Sequence, residues 1–207
     1  MLHLQSKQGL MRNKIYLTII LLFVGMAAKA QNKFSGGLAA TLYASQIDGD
    51  LASGYSKFGG SIQVITNLEL ENHTIQLRMG ISERGSRRNL TTSSIQNPMH
   101  LRFRTVDISA GLLKTLKDKF EIGGAVIFAR RLSATDTEGY INNLERDSRQ
   151  NYWLGSVSIG YPLNEHVTVR GTGEYSITSI FNNTARSLRY KTGSYFNVLG
   201  LGIDYTF

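Results

Sequence analysis

Cysteine is absent from all 207 residues, which excludes a disulfide framework, thiol chemistry and a lipid-modified N-terminal cysteine. Proline is nearly absent as well: only Pro98 and Pro162 occur, and both fall between patterned segments rather than inside them. Long hydrophobic runs are missing beyond residue 30, so no transmembrane helix is encoded there. The four histidines, His3, His73, His100 and His166, stand alone, so no paired spacing suggests a zinc site. A phosphate-cradling Gly-Lys-Ser loop and a nucleophile-elbow pattern are also lacking. "DGDLASG" begins like a calcium loop at Asp48 and Asp50, yet Ala52 and Gly59 stand where further ligands belong, and we read it as a polar, glycine-rich loop. No cofactor or metal is expected.

One apolar run is present. "MRNKIYLTIILLFVGMAAKAQ" places Arg12 and Lys14 before a run from Ile15 to Met26, followed by Ala28-Lys29-Ala30 and Gln31. This is the layout of a secretory signal peptide, too short to span a bilayer. We expect residues 1–30 to be a cleaved signal, with Met11 as a possible start, and residues 31–207 to form one domain. The signal contains Lys7, Arg12, Lys14 and Lys29 and no acid, so its loss takes the formal net charge from +8 to +4. That excess is modest, and no nucleic-acid partner is expected.

After Gln31 the chain alternates period-two segments with polar connections. Eight strands are expected, at about 33–46, 59–71, 74–85, 100–114, 119–132, 151–162, 166–179 and 193–207. Each is long enough for a tilted transmembrane strand, which needs ~9 to 11 residues in hydrocarbon. "ENH", "KTLKD" and "PLNEH" are short turns, whereas "IDGDLASGYSKF", "SRRNLTTSSIQNPM", "SATDTEGYINNLERDSRQN" and "IFNNTARSLRYKTG" are long loops. Short turns at one end and long loops at the other describe an all-β, eight-stranded antiparallel up-and-down transmembrane barrel of the bacterial outer-membrane type.

The faces support this. Ile62, Val64, Leu68 and Leu70 alternate with Ser61, Gln63, Asn67 and Glu69. Ile75, Leu77, Met79 and Ile81 alternate with Gln76, Arg78, Gly80 and Ser82. A membrane barrel turns its apolar side outward and fills a narrow interior with polar groups. Glu69, Arg78, Glu121, Arg170, Glu174 and Asp204 are therefore expected to form a compensating charge network in the lumen, with Arg84 and Arg131 on the same face, and no open pore is expected. Phe34, Phe120, Tyr161, Tyr205 and Phe207 would form an aromatic girdle on the turn side, and Phe128, Trp153, Tyr175 and Tyr195 one on the loop side. Strand four breaks the pattern, because Leu101 and Phe103 are out of phase with Val106, Ile108, Ala110 and Leu112. Of a bulge near Thr105 or an early strand end, we favour the second, with Leu101 and Phe103 in the loop.

The last stretch, "NVLGLGIDYTF", alternates to its end, and should pair with the first strand so that no backbone edge stays unpaired in hydrocarbon. Its aromatic ending, Tyr205 and Phe207, resembles the signal by which the β-barrel assembly machinery recognises its clients. "ASQIDGDLASGYSKFGGSIQV" (44–64) and "LRMGISERGSRR" (77–88) resemble the PorT-like outer-membrane β-barrel family of Bacteroidetes. The positions that carry the likeness are Ser45, Gln46, Ile47, Gly49, Asp50, Gly54, Tyr55, Lys57, Arg84 and Gly85. The resemblance implies an eight-stranded outer-membrane barrel, in most members without a defined activity. Its name-giving member is associated with type IX secretion, a role that no motif here singles out.

A basic cluster is expected at the outer rim: Arg84, Arg87, Arg88, Arg102, Arg104, Arg130, Arg186 and Arg189, with Glu83 and Asp107 among the nearby acids. Arginine forks match phosphate geometry, so outer-membrane lipids and lipopolysaccharide are the expected partners, with room for a protein partner at the loops. Two other readings are weighed. A lipid-active enzyme would need His100 to meet Ser93 or Ser94 at the rim, and a soluble lipocalin-like carrier would need its apolar faces turned inward. We expect a structural or interaction barrel rather than an enzyme.

Overall fold

The computed structural model describes residues 34–49, 54–88, 98–117, 119–138, 144–181 and 193–207. The expected signal peptide lies outside these residues. Eight strands are present: β1 (Phe34–Asp48), β2 (Lys57–Glu69), β3 (Thr74–Arg88), β4 (Met99–Leu116), β5 (Phe120–Asp136), β6 (Asn151–Pro162), β7 (Val167–Ser176) and β8 (Tyr195–Thr206). A four-residue helix, α1 (Leu144–Asp147), lies in the connection between β5 and β6. The strands follow one another around a closed antiparallel barrel. β8 returns to β1 in a register running from Gly37 opposite Thr206 to Asp48 opposite Tyr195. Closure of this kind leaves no strand edge to be satisfied by solvent.

The turns at one end are tight. Leu70 N–H donates to His73 O at 2.8 Å, and Lys119 N–H donates to Leu116 O at 3.1 Å. In the third turn Asn164 Oδ1 accepts from the backbone of His166 (2.9 Å) and Val167 (2.8 Å), which is how an Asn side chain substitutes for a backbone turn bond. A belt of exposed Leu38, Leu42, Ile62, Leu77, Met79, Ile108, Val157, Leu201 and Ile203 surrounds the barrel. The reverse arrangement expected of a soluble carrier is not found, and the belt is that of a barrel immersed in hydrocarbon. Aromatic pairs flank it on both sides. Phe120 packs with Tyr161 (5.5 Å between centroids) near the turns, and Phe128 with Trp153 (5.1 Å) and Tyr175 with Tyr195 (6.0 Å) near the loops.

Strand four corrects the sequence reading. Leu101 and Phe103 belong to β4 and are fully buried in the lumen, in phase with Thr105, Asp107 and Ser109. On this strand Leu112, Ala110, Ile108 and Val106 face outward and are followed outward by Arg104 and Arg102, while the inward series changes from Ser109, Asp107 and Thr105 to Phe103, Leu101 and Met99. The in–out alternation along β4 is unbroken; the surroundings change. A tilted strand needs ~9 to 11 residues for the hydrocarbon, and β4 has 18. The surplus extends beyond the membrane, where the outer face meets water and the inside can be an apolar core. Polar outward pairs mark this transition on neighbouring strands: Gln46 with Asn197, Glu83 with Arg104, and Arg130 with Asn151.

The bulge belongs to β5. Thr105 pairs with Arg131 and Arg104 with Ser133, so Leu132 is the extra residue. It restores Ala134 to the inward face opposite Phe103. The outer half of the lumen is filled by Tyr43, Ile47, Met99, Leu101, Phe103, Ile127, Tyr152, Leu154, Phe196 and Val198. Phe196 meets Phe103 and Tyr152 edge to face at 5.2 and 5.5 Å, a favoured aromatic geometry. Leu144 of α1 and Ile180 close the same cluster, held by the Arg149 N–H to Ile180 O bond at 2.7 Å.

Candidate functional site

Below the apolar plug the lumen is ionic, in two layers. In the upper layer Arg84, only 1% exposed, lies between Asp107 and Glu174. Its Nη2 donates to Asp107 Oδ2 at 2.8 Å and to Glu174 Oε2 at 2.7 Å, and its Nε to the same Glu174 oxygen at 2.9 Å. Asp107 also accepts from Ser82 and Thr105, each at 2.6 Å. Tyr43 OH donates to Glu174 Oε1 at 3.0 Å and accepts from Ser61 at 3.1 Å, with the guanidinium carbon of Arg84 5.4 Å from the Tyr43 ring centre. Tyr43 crosses the lumen opposite Gly200, where a Cβ would stand 2.9 Å from the ring.

In the lower layer Arg78 grips Asp204 with both terminal nitrogens, at 3.2 and 2.6 Å. Arg170 Nε donates to Asp204 Oδ2 at 2.6 Å, and its Nη2 to Glu121 Oε2 at 2.5 Å. A chain from Arg78 through Gln76 to Asn67 (2.7 and 2.9 Å) extends this layer across the barrel. The two layers enclose a cavity of about 50 Å³ bordered by Gln63, Arg78, Arg170 and Thr172. Each of these carboxylates is held by arginine, the pairing that makes a buried charge tolerable.

Four of the six expected network residues therefore meet in the lower layer, Arg78, Glu121, Arg170 and Asp204, while Glu174 lies in the lumen above them, paired with Arg84. Glu69 joins neither layer, because it is exposed at the end of β2, past the last buried inward residues. Arg131 is also apart from the network, its Nη1 donating to Ser148 O at 3.1 Å. Arg84, expected both on the lumen face and in the rim cluster, lies inside the barrel, so its rim placement is corrected; Asp107, read as a rim acid, also lies inside, both on inward-facing positions of β3 and β4. Asp107 was detectable from its place between Val106 and Ile108. Tyr43 was not, since a tyrosine in a strand carries no signal of depth.

At the rim, Glu83 gathers three cations. Lys57 Nζ lies 2.9 Å away, Arg102 Nε 3.1 Å and Arg104 Nε 3.2 Å. The two arginines are 36% and 54% exposed. Arg87 and Arg130 are exposed and Arg88 half-buried on the same end of the barrel. Arg186 and Arg189 lie outside the described residues, as do Asp50, Ser93 and Ser94. His100 is part of β4, its backbone N–H bonded to Asp136 Oδ1 at 3.2 Å. Among the described residues no group of three or more acids or histidines could hold a metal ion.

Several residues that carried the family resemblance also come together. Ser45 Oγ accepts from Gly85 N–H at 3.1 Å and has Gly85 O (3.0 Å) and Lys57 O (3.2 Å) within reach of its single O–H, beside buried Arg84. Tyr55 OH donates to Asn197 Oδ1 at 2.9 Å.

No protein-family model matches the chain, and no curated protein matches it in sequence. Solved structures do. Neisserial surface protein A is 10% identical, with a TM-score of 0.50 over 83% of this chain and 97% of that one. Ail, the attachment invasion locus protein of Yersinia pestis, is 10% identical, with a TM-score of 0.46 over 84% of this chain and 99% of that one. A de novo designed transmembrane β-barrel scores 0.37 at 9% identity, over 83% of this chain and 95% of that one. The likeness is one of fold. In this barrel the lumen is blocked by ion pairs below and aromatic side chains above.

Proposed function

We propose that this protein is a bacterial outer-membrane barrel with a structural or interaction role, exported by residues 1–30, closed to solutes, and acting through its outer rim. The observation that carries this reading is the filled lumen: a barrel whose interior is occupied at both levels has its outer surface left for function. Arg87, Arg88, Arg102, Arg104, Arg130, Arg186 and Arg189 are the side chains proposed to meet lipopolysaccharide phosphates, with the neighbouring loops as the place for a protein partner. Tyr205 and Phe207 would present the terminal strand to the β-barrel assembly machinery. Membership of the PorT-like family is part of this proposal and rests on the resemblance of residues 44–64 and 77–88. The reading is non-enzymatic, and hydrolysis or acyl transfer by the purified protein in outer-membrane lipid would count against it.

The test is lipopolysaccharide retention. Protein extracted from membranes is compared with a variant carrying Arg87→Gln, Arg102→Gln, Arg104→Gln and Arg130→Gln, each confirmed as folded by its heat-modifiable gel mobility. Retention should fall at least about tenfold, since each charge-assisted bond contributes on the order of 1.5–3 kcal/mol. Equal retention by both proteins removes the proposal.

A further inference from the structure

The Glu83 cluster does not stand on a smooth wall. Beside it an apolar groove of about 1270 Å³ runs along the outside of the barrel from β8 across β1, β2 and β3 to β4. Its floor is low because Ala40 and Gly60 place almost no side chain on the outer face, and its walls are Leu42, Ile62, Ile81 and Ile203. Its upper end is formed by Glu83 and Arg104. The groove is thus greasy along its length and ionic at one end, the end that bears the long loops.

The charges at that end are unbalanced. Lys57, Arg102 and Arg104 share the single carboxylate of Glu83, a local excess of two positive charges. Both arginines approach Glu83 through Nε, and among the described residues no hydrogen bond from their Nη atoms is formed. Glu83 holds the two guanidinium groups side by side with terminal donors unused, and such forks suit a phosphate. A ligand matching both parts has a hydrocarbon chain and a phosphate at one end.

We infer that this groove is a binding site for one phosphorylated glycolipid of the outer leaflet, an acyl chain lying over Ala40 and Gly60 and a phosphate on Arg102 and Arg104. This deepens the proposed rim function by assigning it a place and a ligand geometry. The position at the long-loop end selects the outer leaflet, and hence lipid A rather than a phospholipid of the inner one. Glu83 acts as a positioning residue for the arginine pair.

The test uses the folded full-length protein purified from membranes and placed in phosphatidylcholine nanodiscs, with bound lipid counted by native mass spectrometry. Lipid A should bind one per barrel, and lipid A stripped of its phosphates about tenfold more weakly. Arg102→Gln with Arg104→Gln should cause a similar loss. Ala40→Trp, which fills the groove and leaves every charge in place, should also weaken lipid A binding about tenfold; Ala40→Leu serves if the larger side chain prevents folding. If filling the groove leaves affinity unchanged while the arginine substitutions lower it, the groove assignment is overturned and the rim reading stands. If phosphatidylglycerol binds as tightly as lipid A, the assigned ligand is overturned. If neither change matters, both readings fall.

Discussion

Among single side chains, Arg84 is a fully buried cation, 1% exposed. It neutralises two buried carboxylates at once, and removing it strands both in a low-dielectric interior. Breaking a buried ion pair from one side costs about 3–5 kcal/mol, whereas replacing the whole set with neutral groups is often tolerated. Arg84→Leu should therefore destabilise the barrel by about that amount in urea titrations followed by Trp153 fluorescence. The triple variant Arg84→Leu, Asp107→Asn, Glu174→Gln should recover most of the loss, and equal stability of the single and triple variants would show that the pairing is not the cause. Asn164 is a smaller case. Its side chain satisfies two backbone donors in the turn before β7, so Asn164→Ala should cost about 1 kcal/mol by the same measurement.

Among the elements, β4 and β5 show how a face can keep its alternation and change its chemistry. Ile108 and Phe103 look alike in composition, yet one faces lipid and the other packs against Phe196 inside. Ile108→Arg places a charge in hydrocarbon at a cost of about 2–4 kcal/mol. Phe103→Leu leaves a cavity in the plug, while Arg102→Leu, on the water-exposed outside, should change stability by under about 0.5 kcal/mol. The ordering Ile108→Arg worse than Arg102→Leu is the check on where the membrane ends, and the reverse ordering would move that boundary. Leu132 supplies a second test. Because it is the extra residue of a bulge, deleting it leaves Arg131 and Ala134 on the inward face, and the barrel should still fold. Deleting Ile127 instead would turn every later side chain of β5 to the wrong face, and no heat-modifiable species should form.

For the molecule as a whole, a lumen closed by ion pairs and by a plug of aromatic and aliphatic side chains should not conduct ions. Purified barrel in planar bilayers is expected to show no conductance at porin level, and steady porin-sized steps would contradict the packing described here. Much of the architecture was legible in the chain before any coordinates. Period-two alternation, the contrast between turns such as "PLNEH" and the long loops, and Ile203 and Tyr205 alternating with Asp204 up to the end specify eight strands and their outward greasy face, because side-chain direction in a strand depends only on parity. Parity also placed Arg78, Arg170 and Asp204 in one lumen. What parity cannot encode is height along the barrel axis. The same inward face of β4 serves Asp107 and Phe103, and the same outward face serves Ile108 and Arg104, with the surrounding medium deciding which residue type is stable at each level. Only the closed register, with β1 against β8 and Leu132 displaced from the ladder, set those heights. It moved Asp107 from the rim to the interior, kept Arg84 in the lumen, left Glu69 outside, and brought Lys57, Arg102 and Arg104 from two strands to one carboxylate on a third.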